Sequence, residues 1–300
     1  SAPADDGVTV ARPRAVERLV TGIPTQDGAG VKLTRVLTQH LQRRLDPFLM
    51  LDAFGSDDAA DYIAGFPDHP HRGFETVTYM LAGEFEHRDH LGNTGHLRGG
   101  GAQWMTAGRG IAHSERTPDV QRANGQKMLG LQSWIALPAG KEEIAPSFQH
   151  FGAEVLPTVE DTGFKARIIA GSSFGVKSPV DMVSEWFYTE VALDEGMRVP
   201  LDADHEERAI YIVDGEIEIA NEKYEGPKLL IFRPGDRITV KATRPTRMMF
   251  LGGTALEGPR HVWWNFVSSS KERIEEAKAD WKAGRFAHVP NEHEFIPLPE

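Results

Sequence analysis

From Thr76 the chain alternates apolar and polar positions through "TVTYMLAGEFEH", breaks at Gly83, alternates again and reaches the turn-prone "LGNTG". Alternation with a glycine between its halves predicts two antiparallel strands joined in a hairpin. Ala209 onward repeats the pattern in "AIYIVDGEIEIANEKYEG", with Asp214-Gly215 at the turn. Laying Gly83 on Gly215 carries the first segment onto the second with a shift of 132 positions. Laying Gly108 of "MTAGRG" on Gly235 of "FRPGDR" gives a shift of 127. The chain therefore reads as an internal duplication of a small β-barrel.

A linker is expected at Pro138 to Pro157, "PAGKEEIAPSFQHFGAEVLP", which is mixed in composition and rich in turn formers. This divides the 300 residues into an N-terminal barrel over 1–140 and a C-terminal barrel over 141–300, each long enough to bury a core. Behind the second barrel, "SKERIEEAKADWKAGR" sets Ile274, Ala277 and Trp281 at helical spacing after a serine cap, which predicts a helix over about 270–285. The fold class is all-β: two tandem barrels with one late helix.

Thirty glycines and nineteen prolines agree with a turn-rich β architecture. The absence of cysteine excludes disulfides and thiolate metal sites, and fits a cytoplasmic protein. A net charge of -11 with no basic stripe argues against direct nucleic-acid binding or attraction to anionic lipid. No apolar run spans a bilayer, and Ser1 to Val10 has no signal-peptide core; a start at serine leaves open that an N-terminal segment was removed.

Two short stretches break the pattern. "FPDHPHRGFE" sets His69 and His71 two apart, and "MTAGRGIAHSE" does the same with His113 and Glu115. Residues i and i+2 on a strand share a face, so two neighbouring strands would bring three imidazoles and a carboxylate to one barrel interior. Such a set suits one divalent metal ion, with iron, zinc, nickel, copper and manganese all open. Under the two shifts the four positions fall on Leu201, Ala203, Val240 and Ala242, all apolar, which predicts a metal-free second barrel. Glu75 shares the parity of His69 and should also face inward, but its image Glu207 outlasts the histidines, so a structural role is expected for it. His87, His90 and His96 lie in the polar hairpin "EHRDHLGNTGH" and read as solvated, the last two at the pocket rim. His40, His150, His205, His261, His288 and His293 have no partner at useful spacing, and Trp134 reads as core. No phosphate loop and no Gly-x-Ser-x-Gly nucleophile motif is present.

"FPDHPHRGFETVTYML" and "QWMTAGRGIAHSE", flanked by "DPFLMLDAFG" and "GLQSWIALP", resemble the signature of the pirin family within the cupin superfamily. The C-terminal half resembles the family in layout and late helix. The resemblance implies a bicupin of two jelly-roll-like barrels, with one metal, usually Fe(II), held by residues matching His69, His71, His113 and Glu115. Some members are similar in activity to quercetin 2,3-dioxygenases, which implies a small aromatic substrate and dioxygen, with Glu115 as catalytic base. Others are redox-sensitive regulators, which implies a protein partner instead. This chain departs from the family at Gly100-Gly101-Ala102, where the usual aspartate before "QWMTAGRG" is missing.

Overall fold

The computed structural model describes residues 16–27, 31–37, 45–56, 65–116 and 127–300; the chain's first fifteen residues and His40 lie outside them. Within the described residues the alternating segments form two barrels, each a seven-stranded sheet facing a four-stranded one. In the first barrel the smaller sheet runs Phe66–His71, Ile111–Arg116, Glu84–Asp89, Thr94–Arg98. In the second it runs Arg198–Leu201, Ile238–Ala242, Glu216–Ile219, Glu222–Glu225. The matching order shows the duplication directly.

Pairing refines the alignment. His113 lies opposite His69, and Ile111 opposite His71. Val240 lies opposite Val199, and Ile238 opposite Leu201. If Val240 stands for His113, then Val199 and Leu201 stand for His69 and His71, a shift of 130. The shift of 132 holds for the next strand, where Tyr79 pairs with Ala102 as Tyr211 pairs with Leu229. Hence the images Leu201 and Ala203 expected for His69 and His71 are each two residues late. Facing survives, because two residues are one full strand period.

The two seven-stranded sheets pack against each other. Val77, Tyr79, Leu131 and Ile135 from the first meet Trp186, Tyr188, Tyr211 and Leu251 from the second in one apolar core. Phe48 meets the Trp186 ring edge-on at 5.5 Å. Strands are also exchanged: Val16–Val20 pairs with Lys228–Phe232 in the second sheet, and Ser147–Phe151 pairs with Ala102–Thr106 in the first. The latter falls inside the expected linker. Proline and glycine at its borders gave the segment a loop-like composition, while the free edge of Ala102–Thr106 supplied the ladder partner that makes it a strand.

The helix spans Lys271–Lys282, with Ser270 Oγ accepting from the Arg273 N–H and Ile274, Ala277 and Trp281 buried. It packs on the first barrel beside Ala112. The Phe66–His71 strand and the residue after it are gripped on their outer side by later segments. Asp68 N–H donates to Glu294 O at 3.3 Å, Ile296 N–H to Asp68 O at 2.8 Å, and Val267 N–H to Arg72 O at 2.9 Å. Arg72 also pairs with Asp280 at 2.8 Å and lies over the Phe286 ring.

With strands exchanged and one core shared, the barrels should unfold together. A single transition is expected by calorimetry, and Trp186→Ala should destabilise the whole chain by about 3–5 kcal/mol. Two separated transitions, with only one of them moved by the substitution, would contradict a common core.

Candidate metal centre

The register that sets His113 opposite His69 also sets Ile111 opposite His71, so both histidines of one strand lie beside the histidine of the other. A β-bulge between His113 and Glu115 brings Glu115 level with Phe66. All four side chains are buried, with exposures between 1 and 6%. His71 Nε2 lies 3.0 Å from His113 Nε2, which lies 3.1 Å from Glu115 Oε1. One ligand atom from each of His69, His71 and His113 lies within 4.8 Å of the others. His69 Nδ1 sits 2.6 Å from Pro67 O, an acceptor only, so Nδ1 carries the proton and Nε2 keeps its lone pair.

Burial in an apolar surround disfavours charge. It holds His71 and His113 well below the ordinary imidazole range and pushes His69 down to about 4. The same desolvation pushes the Glu115 carboxyl up to about 8. The Glu115 shift opposes folding of the protein alone near neutrality, and the His69 shift opposes it at lower pH. Glu115 is protonated when folded and ionised when unfolded, so stability is lost as pH rises from about 4.5 through 8. His69 is neutral when folded, so stability is lost as pH falls from about 6.5 through 4. A cation among these groups relieves both penalties.

The donor set fits such an ion. Neutral imidazoles are competent ligands as they stand, and bonds of about 2.1 Å place adjacent donors about 3 Å apart. The spacings of 3.0 and 3.1 Å match that requirement. With three imidazoles and a carboxylate and no thiolate, the chemistry is that of a divalent first-row ion.

Two sequence expectations need correction. Glu75 does not face this interior. Thr76 and Thr78 line the small cavity beside His113 and Glu115, so Val77 and Tyr79 on the other face point into the shared core, and Glu75 shares their parity. Alternation was carried across Arg72-Gly73, where Gly73 adopts φ +91° against Val267 O and resets the facing. Glu75 is buried there, accepts from Thr106 Oγ1 at 2.7 Å, and is pushed up to about 7 by desolvation.

His87 is not solvated either; it is 3% exposed. Its Nδ1 lies 3.2 Å from His113 Nδ1 and its Nε2 lies 2.8 Å from Asp89 Oδ2. The polar look of the hairpin concealed it, although Phe85, His87 and Asp89 alternate with the outward Glu86 and Arg88, and that alternation was the available signal. His90 is half-buried and accepts the Ala112 N–H at 3.1 Å, while His96 is exposed beside Glu86. Gln132 Nε2 reaches Glu115 Oε1 at 3.5 Å, and Trp134 is buried against Phe74.

The positions matching the four donors and His87 are apolar in the second barrel, where Val199, Leu201, Ile217, Val240 and Ala242 belong to one core, while Thr76 is matched there by the buried Arg208. Two family profiles match the chain: the Pirin profile matches residues 30–135, and the profile of the pirin C-terminal cupin domain matches residues 188–287. The chain belongs to the pirin family. A pirin-like protein of Caulobacter vibrioides is 44% identical over 290 residues, covering 94% of this chain and 99% of the relative. A Pseudomonas aeruginosa pirin relative, provisionally assigned as a quercetin 2,3-dioxygenase, is 39% identical over 287 residues, covering 92% and 99%. Among solved structures, a quercetin 2,3-dioxygenase from Acinetobacter baumannii superposes with a TM-score of 0.85 at 27% identity, covering 91% of this pirin and 98% of that chain.

Because the Glu115 carboxyl holds its proton near neutrality, metal uptake should expel it. Titration of metal-free protein with a divalent ion at pH 7, in two buffers of different ionisation enthalpy, should show one ion per chain and close to one proton released. Glu115→Gln should abolish the release, and His69→Ala or His113→Ala the uptake. Release that persists in Glu115→Gln would assign the proton elsewhere. A second ion that survives His69→Ala would place metal outside this cluster.

Proposed function

We propose that the chain holds one divalent ion, iron(II), on His69, His71, His113 and Glu115, and uses it to oxidise flavonol-like aromatic enols with dioxygen. The observation that carries this reading is the convergence of three buried, neutral imidazoles and a carboxylate at ligand spacing. The likeness to a solved quercetin 2,3-dioxygenase over nearly the whole length supports the substrate class. When bound, the ion lowers the pKa of a coordinated enol hydroxyl and holds substrate and dioxygen together. Glu115 takes the hydroxyl proton on its carboxylate, which lies beside the imidazoles with Oε1 3.1 Å from His113 Nε2. Gln132 orients that carboxylate from the opposite sheet. Thr76, Thr78, Phe85 and Met105 form the walls that keep bulk water out.

The cavity beside the site has a volume of only about 10 Å³, room for about one water. Phe148 forms one wall, half-buried on the exchanged Ser147–Phe151 strand with its ring stacked on His87 at 3.9 Å. Admitting an aromatic substrate requires a wall of this cavity to move, and the half-buried Phe148 ring is the wall we assign to that movement. The small size of the cavity favours a second reading, an iron-bearing regulator whose redox state alters a docking surface without turnover.

Anaerobic reconstitution with iron(II), followed by oxygen consumption against a panel of flavonols, decides between them. Consumption should need both iron and flavonol, and should vanish in His69→Ala, His113→Ala and Glu115→Gln while Glu75→Gln retains the metal. Phe148→Ala should lower the half-saturating flavonol concentration several-fold. Metal-free protein that consumes oxygen at the full rate would rule out the enzyme reading. An iron-loaded protein inert to the whole panel, Phe148→Ala included, would favour the regulator.

A further inference from the structure

His87 and Asp89 have no part in the proposed reaction, yet they are buried behind its centre. We propose that they form a positioning relay, Asp89 to His87 to His113, which fixes His113 in the tautomer that presents a bare Nε2 to a metal. The proposal rests on the reading of His113 as a ligand and adds to it a device for holding that ligand.

Donor and acceptor accounting gives the direction. Asp89 Oδ1 accepts the backbone N–H groups of Leu91 at 2.9 Å and Asn93 at 3.1 Å, and Asn93 Nδ2 reaches Oδ2 at 3.0 Å. A carboxyl group surrounded by donors is ionised and accepts only. His87 Nε2, 2.8 Å from Oδ2, must therefore donate. A neutral imidazole that donates at Nε2 has a lone pair at Nδ1, so His87 can only accept from His113 Nδ1 at 3.2 Å. His113 then carries its proton on Nδ1, and its Nε2 is left bare toward His71 and Glu115. A second proton on His87 would reverse the last link and place an N–H at His113 Nε2, which a bound cation excludes. Hydrogen bonding through the far ring nitrogen also makes the ligating nitrogen more basic.

The surroundings hold the relay in place. Phe148 stacks on His87 with the ring planes 4° apart. Gly95 lies opposite His87 in the sheet, and a Cβ there would come within 3.1 Å of the Phe148 ring. In the second barrel the residue facing Ala242 is Ile217, with Ile219 two positions on. The relay is replaced by isoleucine in the same barrel where its imidazole is replaced by Val240.

The test needs neither flavonol nor oxygen, so it stands apart from the dioxygenase reading. Affinity for cobalt(II) is measured by competition with a chelator for the wild type, His87→Leu, His87→Gln, Asp89→Leu and His113→Ala, with melting temperatures to confirm folding. His87→Leu and Asp89→Leu should weaken binding about 10- to 100-fold. His87→Gln, whose amide oxygen still accepts from His113 Nδ1, should recover most of the loss. Nitrogen-15 NMR of the histidines in the zinc-loaded protein should show the His113 proton on Nδ1. Wild-type affinity in folded His87→Leu, equal losses in the Leu and Gln variants, or an Nε2 proton on His113 would overturn the relay. Unchanged affinity in His113→Ala would instead remove the ligand assignment on which it rests.

Discussion

The chemistry of this protein depends on one backbone register, His113 opposite His69. Side-chain facing has a period of two, so a slip of one residue in either strand would turn its donors out of the barrel. The bulge after His113 adjusts the last donor by bringing Glu115 level with Phe66. Both strands are secured from outside. The Phe66–His71 strand takes main-chain bonds from residues 294–296, and Arg116, directly after Glu115, pairs with Glu292 at 2.9 Å. The strands that carry the donors are thus held in part by bonds that touch none of them, beside the Pro67, His87 and Gln132 contacts that do.

A polar barrel interior costs stability, because burial keeps the Glu115 carboxyl protonated near neutrality and the imidazoles neutral at lower pH, where the unfolded chain would carry charge. The second barrel carries no cluster of imidazoles at the matching positions. The positions that match the donors are aliphatic there, and its seven-stranded sheet joins that of the first barrel in a common core. The duplication has divided two tasks that conflict within one interior: one copy presents donors, and the other supplies packing.

Alternation made the barrels legible in the sequence, and spacing of two made the donor pairs legible, since both depend only on near neighbours in the chain. The features that the sequence hid depend on distant ones. Glu75 was misfaced because a positive-φ glycine resets strand parity and leaves no mark in the alternation. His87 looked solvated because its neighbours Glu86 and Arg88 are, while Phe85 and Asp89 shared its inward face unnoticed. The images of His69 and His71 were displaced because two extra residues precede Glu207, which only the ladder reveals. The exchanged strands at 16–20 and 147–151 were invisible, since nothing local says which distant edge a strand will join.

The grip on the Phe66–His71 strand bears on the order of events during synthesis. Arg72, next to His71, is fastened to Asp280, 208 positions later in the chain. A ribosome adding about 5–20 residues per second takes 10 s or more to cover that interval. For the later part of it both donor pairs have been synthesised, but the Phe66–His71 strand lacks its outer neighbour. The outer support of the histidine strand is therefore completed only late in synthesis, with the docking of the helix and of the segment after it.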